Sequence, residues 1–255
     1  MVARWAFLLA VTALGACRIH FDPVEEAAGD ATLADTAADM AVDTLVLPPT
    51  SVTFEDNALS TANATVYTFT NIAFGPASVD RLLVLAVLSN SPNDITSITI
   101  GATTATRAVM YNPAGDSAVS AIYYAPFPTG TTGTVVVNVS AGGATRCAIG
   151  VYRVEYRLQT APTSVSGTTS WVGASSVQVP RLADGVGIWM GQRDGTTAFT
   201  PTIDNIAPVS DGAGLFGSAN FYWTYGSVTP TTDGMSSYAA DFGADNGIVI
   251  AAYFR

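Results

Sequence analysis

The run VYRVEYRL, residues 151–158, alternates charged with apolar and aromatic side chains. On a strand alternate residues share a face, which puts Arg153, Glu155 and Arg157 on one side and Tyr152, Val154 and Tyr156 on the other. Glu155 in that setting is a candidate catalytic carboxylate and the arginines a candidate anion site; the plainer account is an ion-paired, solvated face over a core face. Glu55 is the only other glutamate after residue 50. Acid–base cleavage of a glycosidic bond needs only two carboxyls at the right separation, so aspartate pairs also qualify. A second group suits recognition rather than reaction. In FYWTY, residues 221–225, Phe221, Trp223 and Tyr225 share one strand face and Tyr222 and Thr224 the other. Exposed, the three rings would stack on the apolar face of a sugar; buried, they would pack a core. Trp171 and Trp189 are weaker candidates, since Trp189 lies within the apolar GVGIWMG.

Other short motifs reduce to turns. Residues 212–217, GAGLFG, fit G-x-G-x-x-G by letter, but that fingerprint needs a strand before it and a helix after it, and the following SANFYWTYG is β-like. A loop is the expectation there. Asp184-Gly185, Asp194-Gly195, Asp211-Gly212 and Asp233-Gly234 are turn dipeptides that also resemble calcium-loop oxygens. No carboxylate cluster of the spacing used by sandwich-fold glycosidases is present. The chain has no lysine, its one histidine is His20, and its cysteines are Cys17 and Cys147. Past residue 50 there is therefore no imidazole for a Ser-His-Asp or Cys-His mechanism, no lysine for a Schiff base, and no histidine for zinc or iron. Cys147, in the apolar CAIGV, reads as a buried strand thiol. No cofactor, metal or enzymatic activity is expected.

The elements that must position these residues are strands. After Pro49, apolar or alternating runs recur, broken by Gly, Pro, Asn and Asp every eight to twelve residues: residues 65–70, 82–89, 95–100, 118–125, 134–140, 147–156, 185–192, 219–226 and 247–254. The fold expected is all-β, an antiparallel β-sandwich over residues 51–255. LLVLAVL and GIVIAAYF, apolar on both faces, read as central strands. An apolar strand, a strand pair, a Tyr-rich hairpin and a closing apolar strand run from Leu82 to Tyr156 and again from Val186 to Phe254, the opening strands offset by 104 residues (Leu82, Val186) and the closing strands by 100 (Cys147, Gly247). This suggests two similar halves, the paired order of a jelly roll; regular strand spacing is the competing explanation.

Before this domain the composition changes twice. Arg4 precedes a 12-residue apolar run, Trp5–Ala16, which is too short to cross a bilayer and has the form of a secretory signal over residues 1–16. Leu14-Gly15-Ala16-Cys17 resembles the bacterial lipobox. That resemblance implies a diacylglycerol thioether on Cys17, cleavage before it, and acylation of the new amino group, several chains together giving a stable membrane anchor. Arg18 after the cysteine favours the outer membrane. Residues 17–50 carry seven carboxylates against Arg18, hold no aromatic after Phe21 and end in Pro48-Pro49. Such a segment buries too little apolar surface to offset its ordering entropy and is expected to be a disordered tether.

Residues 80–155, with RLLVLAV, SITIGATTATRAV and SAIYYAPFPTGTTGTVVVNVS, and the closing GIVIAAYFR resemble a β-sandwich module of uncharacterised secreted bacterial and phage structural proteins. The resemblance implies the fold and an attachment or display role. With a formal net charge of -10 and 12% charged residues, nucleic acid is not an expected partner. The expectation is a lipid-anchored envelope protein whose sandwich binds carbohydrate or protein without catalysis, through Phe221, Trp223 and Tyr225. A structural envelope component and a carboxylate-based glycoside hydrolase are the alternatives.

Overall fold

Runs rich in Val, Ile, Thr and aromatic residues, each stopped by a turn residue, favour pairing between strands over helix. The computed structural model describes residues 49–112, 118–140, 142, 146–155, 161–170, 173–199, 201–204, 208, 210–216 and 221–255. Over these the chain forms seventeen strands and no helix. The expected signal peptide, Cys17 and all of the expected tether but its last two residues lie outside the described residues, as do Tyr156, Arg157 and Trp171.

The first half contains β1 (Ser51–Ser60), β2 (Val66–Ala73), β3 (Leu82–Asn90), β4 (Ile95–Ile100), β5 (Thr103–Thr104), β6 (Thr106–Tyr111), β7 (Val119–Pro126), β8 (Thr132–Val139) and β9 (Arg146–Glu155). They form a five-stranded sheet in the order β1-β9-β3-β7-β6 and a four-stranded sheet β2-β8-β4-β5. The second half contains β10 (Ser164–Ser170), β11 (Ala174–Arg181), β12 (Val186–Asp194), β13 (Thr202–Ile203), β14 (Gly212–Leu215), β15 (Phe221–Val228), β16 (Gly234–Asp241) and β17 (Gly247–Phe254). Its sheets run β10-β17-β12-β15-β14 and β11-β16-β13. Position for position this repeats the first half, without a counterpart of β5. Every pairing is antiparallel.

The register repeats as well. Leu82 faces Val154 across β3 and β9, and Val186 faces Phe254 across β12 and β17, the same 104- and 100-residue offsets seen in the sequence. The chain alternates between facing sheets in each half, the winding of a jelly roll, with β6 and β14 added at one edge. The expected antiparallel sandwich is therefore present and is doubled.

Three cores separate four layers. One fills the first sandwich, with Leu83, Leu85 and Val87 of β3 against Tyr67, Phe69 and Val137. Another fills the second, with Trp189 of β12 and Val249, Ala251 and Tyr253 of β17 against Val177, Val179 and Tyr238. The third joins the five-stranded sheets back to back, with Leu82, Val84 and Leu88 meeting Ile188, Met190, Ile248 and Ile250. Both five-stranded sheets are thus covered on both faces, so their middle strands carry no polar face. In this contact β3 crosses β12, β10 and β17 lie on β6 and β7, and β1 and β9 meet β15 through Phe54, Tyr152 and Tyr225. Exchanging the halves reproduces part of it, since β3 meets β15 as β12 meets β7, but the close approach of β10 and β17 to β6 is not matched at β14.

Candidate functional site

The aromatic row of β15 faces this middle core. Phe221, Trp223 and Tyr225 are 7%, 6% and 0% exposed. The Trp223 and Tyr225 rings stack at 5.2 Å, and Tyr225 lies 5.9 Å from Phe54 and 6.2 Å from Tyr152 of the other half. Glycines make the slot: a Cβ on Gly150 or on Gly212 would stand 2.6 Å from the Tyr225 ring. The expected sugar platform is corrected here. The strand is covered on both faces, so the row offers no ring to solvent. Trp189 is also core, and Cys147 is fully buried, with burial pushing its thiol pKa up.

The two glutamates do come together. β1 and β9 slip register between Phe54 and Asp56, which leaves Glu55 as the extra residue of a β-bulge. From there its Oε1 accepts a 2.6 Å hydrogen bond from Arg153 Nε, while Arg153 Nη1 pairs with Glu155. The ion-paired account of this strand face therefore holds, with both carboxylates largely buried rather than solvated. Beside them Arg81, 0% exposed, donates to the carbonyls of Phe74, Gly75, Pro76, Phe127, Thr129 and Gly130. Glycosidase chemistry needs one carboxyl to hold a proton while the other acts as base or nucleophile. Here Glu55 and Glu155 are instead both bound to the one guanidinium of Arg153.

The aspartates of the Asp-Gly pairs serve turns. Asp233 accepts from the Ala183 amide at 2.6 Å, Asp211 from the Ser227 hydroxyl at 3.0 Å, and Asp184 takes a positive φ of 63°. Among the described residues no three His, Cys, Asp or Glu gather as metal ligands. Residues 212–215 of the glycine-rich motif are strand rather than the expected loop, paired with β15.

A pocket of about 360 Å³ lies elsewhere, between the β15–β16 loop on one side and Ile203, Asp204 and Pro208 on the other. Its polar lining is Arg181, Asp204, Thr229, Thr231, Thr232 and Ser236; Ile203, Pro208, Val228 and Pro230 supply the apolar part. Arg181 ends β11. Its Nε donates to Thr232 O at 3.1 Å, Nη1 to Ser236 Oγ at 3.1 Å and to Asp204, and Nη2 to Thr232 Oγ1 at 3.4 Å. Asp204, at a positive φ of 53°, also accepts the Ser237 amide at 2.8 Å, which fixes it against β16.

The first half shows what this place looks like when filled. Ala73 faces Thr132 across β2 and β8, as Arg181 faces Gly234 across β11 and β16. The loops between the next strands are Phe-Pro-Thr-Gly-Thr (127–131) and Thr-Pro-Thr-Thr-Asp (229–233). In the first, the Phe127 ring packs at 5.2 Å on Phe74, lies 5.7 Å from the Arg81 guanidinium, and covers Gly101 of the β4–β5 turn. In the second, Thr229 stands where Phe127 stands, Arg181 replaces Ala73, and β13 is a two-residue strand where β4 has six. A ring is lost, and the guanidinium that binds the loop carbonyls comes from Arg181 on β11 where the first half uses Arg81. Arg181, Asp204 and Thr229 are not singled out by the sequence reading, and the shared Pro-Thr of the two loops is a usable signal only once the halves are aligned.

Fold and site together define a tandem jelly roll with an open pocket at the β15–β16 loop end of its second half. Comparison with models of protein families finds no match to the chain, and comparison with curated proteins finds none.

Proposed function

We propose that the chain is a lipid-anchored protein of the bacterial envelope, held at the outer membrane through Cys17, whose tandem jelly roll binds a carbohydrate or protein ligand without catalysis. The observation that carries the binding reading is the asymmetry between the halves. Where the first half closes its loop end with Phe127, the second leaves a pocket lined by a charged pair and hydroxyls. The lipobox and the acidic segment behind it support the anchor and the tether.

Both parts are testable. Wild type is expected to partition into detergent and Cys17→Ala to remain an unprocessed precursor; normal partitioning of the variant contradicts the anchor. Amide exchange of residues 229–236 is expected to slow in the presence of an envelope polysaccharide or protein fraction in wild type and not in Thr229→Phe. If no fraction protects this segment, the binding reading fails. Release of fragments from such a fraction, lost in Glu55→Gln or Glu155→Gln, would favour a hydrolase instead.

A further inference from the structure

We infer that the pocket at Arg181 takes a neutral, polyhydroxylated ring, one residue of a glycan, in preference to an anion or a cation; this rests on the binding reading above. The electrostatics come first. Arg181 and Asp204 are the charged groups of the lining and they neutralise each other in direct contact. An anionic ligand would have to displace Asp204 from the guanidinium, and a cation would face Arg181. A neutral ligand leaves the pair intact.

Hydrogen-bond capacity points the same way. A guanidinium has five N–H groups, and four are engaged, with Thr232 O, Thr232 Oγ1, Ser236 Oγ and Asp204. One Nη2 N–H therefore remains beside the Asp204 carboxylate, which accepts from Arg181, the Ser236 hydroxyl and the Ser237 amide and keeps about one acceptor site of four. A free donor next to a free acceptor fits adjacent hydroxyls, each of which donates and accepts. Thr229 and Thr231 add hydroxyls of the same dual character, and Pro230, Pro208 and Ile203 offer apolar surface for the C–H face of a ring. The volume, about 360 Å³, is at the small end of ligand sites and suits one ring rather than a long polymer segment.

The test is saturation-transfer NMR on the full-length chain. The probes are methyl glycosides of glucose, galactose, mannose and N-acetylglucosamine, with methyl glucuronide and short capped Ser/Ala peptides for comparison. At least one neutral glycoside is expected to bind, with methyl glucuronide weaker. Thr229→Phe should reduce that binding at least fivefold, and its unfolding midpoint shows whether it folds. Asp204→Asn keeps the shape, leaves Arg181 charged, and should shift preference toward glucuronide. Absence of glycoside binding, glycoside binding that survives Thr229→Phe, or an unchanged neutral-to-acidic preference in Asp204→Asn would overturn the inference. A peptide signal lost in Thr229→Phe would overturn the ligand class and keep the pocket. No probe sensitive to Thr229→Phe, together with no envelope fraction protecting residues 229–236, would overturn both.

Discussion

Burial of polar aromatic groups sets the behaviour of single residues. Tyr152, Tyr225, Tyr238 and Tyr253 are at most 1% exposed, and burial pushes all four hydroxyls above the ordinary tyrosine range, Tyr253 to about 12. Tyr253 donates to Leu182 O at 2.6 Å, while the hydroxyls of Tyr152, Tyr225 and Tyr238 have no hydrogen-bond partner of normal geometry. In the unfolded chain tyrosine loses its proton near pH 10, and in the fold only at higher pH. Above pH 10 the unfolded state therefore holds fewer protons, and stability falls as pH rises. We predict denaturation midpoints that are flat from pH 7 to 9.5 and drop between pH 10 and 12. The slope should be on the order of 1 kcal/mol per pH unit for each tyrosine titrating in that window. A midpoint unchanged at pH 11 would mean that these rings reach solvent.

Strands and loops carry the repeat, and here the sequence is legible to different depths. The nine apolar or alternating runs all fall on strands, because their β-branched and aromatic residues face a core on at least one side. Outside these runs lie the longer strands β1, β6, β10, β11 and β16 and the short β5, β13 and β14. SVTFEDNALS is interrupted by the Glu55 bulge, and SVSGTTS, ASSVQVPR and GMSSYAAD are built largely of small and polar residues, so their periodicity is faint. The two-sided apolarity of LLVLAVL and GIVIAAYF is readable as burial, but a single sandwich supplies only one buried face, so the back-to-back stack is what the pattern required. For the same reason Trp223 could not be placed from sequence: alternation assigns Phe221, Trp223 and Tyr225 to one face without saying whether a second sheet covers it. Convergence of Glu55 with Arg153 and Glu155 needs pairing of β1 with β9 across 98 residues of chain, which no local pattern encodes. The stack is testable at its closest approach. Gly150→Ala on β9 would push a methyl against the Tyr225 ring of the other half, and overpacking of this kind costs about 1–3 kcal/mol. Urea denaturation should show that loss in one transition, whereas no loss would place Tyr225 outside the slot.

For the whole molecule, the first strand begins at Ser51, directly after the acidic segment of residues 17–50. The Thr50 amide donates to Asp184 O at 2.9 Å, so the entry point of β1 is pinned to the second half. Limited proteolysis is expected to leave a resistant fragment beginning near Ser51; a protected segment upstream would contradict the tether. On that body two places compete for the functional role, the aromatic row within the stack and the pocket at the loop end of the second half. They are separated most directly by one paired measurement, denaturant unfolding and envelope-ligand binding on Trp223→Ala and Thr229→Phe side by side. Trp223→Ala should open a cavity and lose about 3–5 kcal/mol while its folded fraction still binds. Thr229→Phe should unfold within about 0.5 kcal/mol of wild type and lose binding. The reverse pattern, a stable Trp223→Ala that no longer binds and a Thr229→Phe that binds as wild type does, would contradict the account.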